Sequence, residues 1–278
     1  MSVNTDVIGK EIKGEPFVYS EDTTILYALG IGAGRDELDF VYEKDLKVFP
    51  TFAVIPFMPS LIPLVGMANL NLFTVLHGEQ KIILHKPIPP KGTLISTAVC
   101  TSMYDKGDKG AVLNLDIESR DADGNLLFEN KSVIFDRSGG NFGGDRGPKT
   151  EKISPPEGKS PDFSVAYETS PNQALLYRLS GDKNPLHIDP EFAKMGGFDT
   201  PILHGLCTYG FAGRAILHSV CGSDPKKLKS FAVRFMGVVF PGETLITEGW
   251  KVENGKYIVQ TRTQDGRVVL GNGVAEVA

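Results

Sequence analysis

The chain has 278 residues, 41% apolar and 23% charged, with a formal net charge of −5 at pH 7. That balance belongs to folded soluble proteins and excludes a disordered chain, while the length admits one large domain or two ordinary ones. The negative charge leaves no basic field for nucleic acid, though Lys226, Lys227 and Lys229, or Lys106 and Lys109, could meet a small anion if they are more than solvated faces.

The opening MSVNTDVIGKEIKG has no apolar core of the signal-peptide kind and is not the Arg-rich, acid-poor pattern of a transit peptide. From Val48 to Leu76 there is no Asp, Glu, Lys or Arg, over more than the roughly 20 residues that a bilayer span needs. Pro50, Pro56, Pro59 and Pro63 would break that span repeatedly, and Asn69 and Asn71 are polar. The segment is therefore expected to be buried and partly irregular, with no membrane span, and to suit the wall of a cavity for an apolar ligand. Lys81–Ile88, Thr93–Tyr104, Ala111–Arg120 and Leu126–Phe135 follow as β-rich runs. Asp136 to Asp162 is rich in Gly, Pro, Ser and charge without apolar periodicity, which reads as a linker.

Ser170-Pro171-Asn172-Gln173 signals a helix start, with Ser as N-cap, Pro at the first helical position and Gln at the capping-box position. That helix should end near Leu179. A second helix is expected after His204-Gly205, through about Val220, apolar on most sides and interrupted by Gly210 and Gly213, which implies burial against a close neighbour. Ser230–Phe240, Thr244–Val252, Tyr257–Thr263 and Arg267–Val277 are β-rich, separated by Pro241-Gly242, Asn254-Gly255 and Asp265-Gly266; the last two pairs are strong hairpin signals. Cys100, Cys207 and Cys221 lack metal or redox spacing and are expected as reduced thiols.

The chain repeats itself at a spacing near 150 residues. Ile25-Leu26-Tyr27-Ala28-Leu29 matches Leu175-Leu176-Tyr177-Arg178-Leu179, Pro90 to Ile95 matches Pro241 to Ile246, and Asp123-Gly124 through Asn130 matches Asp265-Gly266 through Asn272. Three domains of sequence result: a first repeat over 1–140, a linker over 141–162 and a second repeat over 163–278. Each of the two repeats is read as a curved antiparallel sheet around a helix, an α+β class, with that helix degenerate in the first repeat.

Asp182 and His187 are five residues apart, and Pro185 bars a regular helix between them. A rigid turn can direct an acid and an imidazole at one point, and the company of Gly181, Asn184 and Pro185 favours that reading over ordinary turn chemistry. At the start of the second helix, Gly205 can present an unpaired N–H to an oxyanion with no side chain in the way. His85 and His218 read as structural or surface residues.

Gly181-Asp182-Lys183-Asn184-Pro185-Leu186-His187, followed by Ala193, resembles the signature of the MaoC-like (R)-specific enoyl-CoA hydratases, and the whole chain is similar to the hydratase 2 unit of peroxisomal multifunctional enzymes type 2. The resemblance implies a double hotdog fold and hydration of trans-2-enoyl-CoA to (3R)-3-hydroxyacyl-CoA in fatty-acid β-oxidation. It further implies that Asp182, Asn184 and His187 hold and activate the water, that the Gly205 amide receives the thioester oxygen, and that the first repeat accommodates the acyl chain. His77, Gly78, Lys106, Lys183, Pro185, Leu186 and Phe235 are the substrate and CoA contacts it carries over. Gly30-Ile31-Gly32-Ala33-Gly34 stands where the second repeat has its motif, so the first site reads as decayed and not as a dinucleotide loop.

No metal and no cofactor are implied, and the partners expected are the acyl-CoA substrate and a second copy in a homodimer, with a place in a larger multifunctional enzyme also open. Localisation follows the family to the peroxisome, although the final AEVA is not a peroxisomal address and the cytoplasm is the alternative. Two other functions fit less well: a 3-hydroxyacyl dehydratase of fatty-acid synthesis acting on a carrier-protein thioester, and a non-catalytic acyl-CoA-binding module.

Overall fold

A computed structural model describes residues 3–71 and 74–278. Within them the first half runs β1 (Glu11–Lys13), β2 (Phe17–Tyr19), α1 (Glu21–Gly30), α2 (Leu38–Val41), α3 (Met58–Met67), β3 (Val75–Leu84), β4 (Gly92–Asp105), β5 (Ala111–Asp121) and β6 (Leu126–Asp136). The second half runs β7 (Phe163–Glu168), α4 (Gln173–Tyr177), α5 (Pro190–Met195), α6 (Gly205–Val220), β8 (Leu228–Phe235), β9 (Thr244–Glu253), β10 (Lys256–Thr263) and β11 (Val268–Val277). The hairpin dipeptides do the work expected of them: Gly124, Gly255 and Gly266 take φ of 84°, 70° and 88°, which glycine adopts without a Cβ penalty.

All strands join one antiparallel sheet in the order β1-β4-β5-β6-β3-β8-β11-β10-β9-β7, with β2 also paired to β4. Each half has the same internal order, and the halves meet where β3 pairs with β8, from Glu79 opposite Arg234 to Ile83 opposite Ser230. The chain between β6 and β7 forms no helix or strand. It crosses the sheet, where Asn272 Nδ2 donates to the Glu151 carbonyl at 2.9 Å, and with the sheet it encloses a groove of 730 Å³ lined by residues such as Ile153, Val133, Ala232 and Ile258.

Helix α6 lies in the curve of the second half-sheet, packed on β7, β8, β9 and β11, with every residue from Leu206 to Leu217 buried. Its two glycines have the expected close neighbours. A Cβ on Gly210 would overlap Ile31, and one on Gly213 would overlap Thr51, both in the first half. In that half the long apolar segment forms a 3₁₀ turn, Pro50–Val54, and then α3 with Pro63 inside it, so a helix does form but is broken in two. Pro50 to Met67 is long and apolar enough to cross a membrane by composition, yet 61% of it is buried within the fold. Phe49, Phe52, Val54, Phe57 and Leu64 fill the core, so the segment is packed interior over most of its length; its Leu72 and Phe73 lie outside the described residues.

Other expectations shift by a few residues. Strand β3 begins at Val75 instead of Lys81. Strand β8 ends at Phe235 instead of Phe240, because the chain leaves the sheet and Val239 accepts from the Leu203 N–H at 2.7 Å. Helix α4 starts at Gln173, two residues later than Pro171 suggested, although the Gln173 side chain does reach back to the Ser170 N–H at 3.1 Å. It passes at Tyr177 into a 3₁₀ turn, Arg178–Ser180.

Gly210→Ala separates packing from helix propensity. Alanine favours a helix by about 1 kcal/mol over glycine, but the added Cβ meets Ile31, so a net loss of about 1–3 kcal/mol is expected from urea unfolding. Ile31→Ala in the same chain should then cost less than it does alone. A Gly210→Ala protein as stable as the parent would contradict this account of the interface.

Candidate active site

The motif folds as a succession of short turns. Gly181 takes φ of 137°, a value side-chain-bearing residues rarely adopt, with open space where a Cβ would stand. Asp182 Oδ1 then accepts from the Asn184 N–H at 3.1 Å, and Asn184 Oδ1 from the Leu186 N–H at 3.1 Å. Pro185 opens a single 3₁₀ turn that delivers His187 into the interior. Asp189 caps α5, on which Ala193 is fully buried.

His187 Nδ1 lies 2.8 Å from the Ile202 carbonyl. A carbonyl only accepts, so Nδ1 carries the proton and Nε2 is bare. Burial lowers the pKa of His187 from the ordinary histidine value, against the opposing pull of the Asp182 carboxylate and the Ile202 carbonyl. The ring is thus a neutral base beside an acid. Ile202 is itself held in place, because the next residue, Leu203, is tied to Val239.

Three further groups close the site. Gly205 is the first residue of α6, and its N–H has no hydrogen-bond partner among the described residues. A Cβ there would lie 3.2 Å from the Phe235 ring, which has the His77 ring on it at 5.0 Å between centroids. His77 is turned to this place by a β-bulge: it pairs with Ile134 and Glu79 pairs with Val133, leaving Gly78 as the extra residue. Burial pushes the His77 pKa down to about 4, although the Glu79 carbonyl, Gln80 and the Asp182 carboxylate all favour its charged form. His77 from the first repeat therefore faces Asp182 from the second.

The structure brings Asp182, His187, Gly205, His77 and Phe235 together. Gly78 serves the bulge. Asn184, Lys183 and Pro185 are exposed, and Asn184 has its oxygen engaged in the turn, so it stands at the rim. Lys106 sits at the β4–β5 turn, its ammonium bonded to the Arg146 carbonyl and 5.3 Å from the Tyr104 ring centre.

Reading the motif missed His204. It is 1% exposed, its ring stacks on His187 with centroids 3.7 Å apart and planes at 29°, and its Nε2 lies 3.1 Å from the Asp182 carbonyl. The only signal was its place immediately before Gly205. Donor atoms of Asp182, His187 and His204 lie within 4.8 Å of one another, the residue types of a metal site. Two imidazoles on one tetrahedral ion at about 2.1 Å would hold their ring centres roughly 5 Å apart, so the observed stack suits shared protons better than a shared ion.

Three neutral histidines, His187 and His204 buried and His77 half-buried, make the fold sensitive to acid. Burial lowers the pKa of His77 and His187, and burial with the neighbouring His187 lowers His204 to about 3. Unfolded histidines titrate near 6.5, so below that pH the unfolded chain binds more protons and stability falls as pH drops. Urea unfolding should lose roughly 1.4 kcal/mol per pH unit for each proton taken up, with two or three protons near pH 5. Stability that stays level from pH 7 to pH 5 would mean that the three rings are charged or exposed.

Residues 17–138 match the MFE-2 hydratase 2 N-terminal domain and residues 152–274 the MaoC like domain. A probable enoyl-CoA hydratase 2 of Dictyostelium discoideum is 42% identical, over 97% of this chain and 94% of that one. The peroxisomal enoyl-CoA hydratase 2 of Arabidopsis thaliana is 40% identical over 94% and 91%. The peroxisomal multifunctional enzyme type 2 of Drosophila melanogaster is 40% identical over 88% of this chain and 45% of its own length. Among solved structures, a MaoC-like dehydratase from Phytophthora capsici superposes with a TM-score of 0.88 at 35% identity, covering 99% and 98% of the two chains. A Mycobacterium tuberculosis protein described as a double hotdog shares the fold alone, at a TM-score of 0.63 and 12% identity. With both repeats matched and the likeness running the length of the chain, this protein belongs to the enoyl-CoA hydratase 2 family of MaoC-like double hotdog proteins.

Proposed function

We propose that the chain adds water to the double bond of a trans-2-enoyl-CoA to give the (3R)-3-hydroxyacyl-CoA, as a hydro-lyase of fatty-acid β-oxidation. The observation that carries this reading is the bare Nε2 of a neutral His187 beside the Asp182 carboxylate and the unpaired Gly205 N–H. Asp182 and His187 hold the water between them. As its oxygen bonds to C3, one proton passes to this pair and the π electrons move toward the thioester oxygen. The Gly205 N–H, at the positive end of α6, steadies the enolate oxygen. Return of a proton from the pair to C2 restores the thioester, so water is added with no metal or redox cofactor.

A positioned acid or base contributes typically about 10²–10⁴-fold and an oxyanion donor about 2.7–4 kcal/mol, which is enough for a large acceleration. Asn184, at the rim, has its amide nitrogen left to steer the water. Lys183, Pro185 and Leu186 line the approach of the CoA thioester, with Phe235 and His77 beside the reacting end. The acyl chain is taken to run toward the apolar segment of the first repeat. A place within a multifunctional enzyme and a peroxisomal site of action are part of the same proposal, supported by the relatives' names, and so is a homodimer, which rests on the family resemblance alone.

Steady-state hydration of C4, C10 and C16 trans-2-enoyl-CoA with chiral analysis of the product tests substrate and stereochemistry together. The expected result is (3R) product and turnover of C10 and longer at least equal to C4. An (3S) product, or strong preference for a carrier-protein thioester, would reject the reading. Asp182→Asn and His187→Ala should each lower kcat roughly 10²-fold or more, and the double variant should be little worse than the poorer single one, as for residues acting as a unit. Lys106→Ala should raise KM alone if it meets the CoA phosphates; its tie to Arg146 in the structure makes unchanged kinetics the result that would remove it from the site.

A further inference from the structure

We propose that His204 is a positioning residue of this site, fixing Asp182 through its main chain and His187 through its ring. The inference rests on the roles given above to Asp182 and His187. His204 touches the Asp182 loop, the His187 ring and the start of α6 at once. Its Nε2–H donates to the Asp182 carbonyl, the acceptor that fixes this tautomer, and one face of its ring covers His187. The Tyr177 ring lies 5.0 Å away between centroids. Its own carbonyl accepts from the Cys207 and Thr208 N–H groups, both at 3.1 Å, and so starts α6 and orients the adjacent Gly205. Carboxylate loop and imidazole base are thus referred to the His204 ring and the oxyanion donor to its main chain, and misplacement by about 1 Å can cost on the order of 10²-fold in rate.

The chemistry demands that this ring stay uncharged. A second positive ring stacked at 3.7 Å would oppose protonation of His187 in turnover. Burial, helped by His187 and Arg178 and opposed by Asp182, keeps the His204 pKa near 3, and its buried Nδ1 has no partner among the described residues. Asparagine could not reach as Nε2 does, and phenylalanine could stack but not donate.

Three variants test the proposal. His204→Phe keeps the stack and deletes the donor; it should lower kcat about tenfold or more with KM within about threefold. In an Asp182→Asn background the same change should add almost nothing, because its effect passes through Asp182. His204→Gln places an amide N–H near the Nε2 position and His204→Asn does not, so kcat should rank Gln above Asn. This comparison of two small amides stands even if His204→Phe fails to fold. Equal rates for Gln and Asn, an unchanged kcat in His204→Phe, or multiplicative losses in the Asp182→Asn background would overturn the inference. If Asp182→Asn itself stays active, the reading of the site fails instead, and the two failures are told apart by that single variant.

Discussion

The pairing of β3 with β8 is the constraint on which the site depends. Each half-sheet alone would end in an open edge with unpaired backbone groups, and the seam closes both edges with five residue pairs. Arg234 clamps it through the side chain, donating to Glu79 Oε1 from Nε at 2.8 Å and from Nη2 at 2.6 Å. Because the strands are antiparallel, the start of β3 lies beside the end of β8, which brings His77 onto Phe235 and both against the N-terminus of α6. A slip of one residue would turn those rings to the other face. A site made by two repeats therefore exists only in this register.

The same frame shows what the first repeat became. In the register set by Tyr27 and Tyr177, whose rings lie 6.1 Å apart, Gly32 stands where the second repeat has Asp182 and Glu37 where it has His187. Glu37 has become structural. Burial alone would raise its pKa, but hydrogen bonds from His218 and Arg214 win and hold it at about 2. Arg214 also stacks on Tyr167, 4.0 Å from the ring centre, and His218 reaches Ser223 at 2.8 Å. One copy thus has a buried imidazole at the position, the proton carrier of the proposed reaction, and the other uses it to bind α6 to the first half.

Much of this was legible because it is local. Turn glycines, the long apolar α6 and the Gly181–His187 turn each depend on residues within a few positions, and the first two reappear almost where the sequence put them. The bulge at Gly78 was not legible, since it is defined by a partner strand more than 50 residues away. Nor was the role of His204, which arises from stacking between the start of a helix and a loop. The charge of Lys106 suits a phosphate, and its contact with the linker depends on a chain path that the sequence does not reveal. Proline spacing overstated the irregularity of the first repeat's segment, because Pro63 is tolerated inside α3 where neighbouring core packing compensates.

The three histidines of the site share one device. His187 gives its ring proton to the Ile202 carbonyl, His204 to that of Asp182, and His77 to that of Glu79 at 3.0 Å. Among the described residues no carboxylate fixes any of these tautomers. The acceptors are main-chain groups from a strand bulge, the motif turn and the extended segment before α6, so the lone pair each ring presents is set by backbone geometry. A carboxylate partner would raise basicity and favour the charged ring; a carbonyl orients the ring at less electrostatic gain, and burial then keeps it neutral. Among the described residues Asp182 is consequently the one acidic group whose charge acts on all three rings, and in the proposed reaction proton transfer need not compete with an ion pair already made.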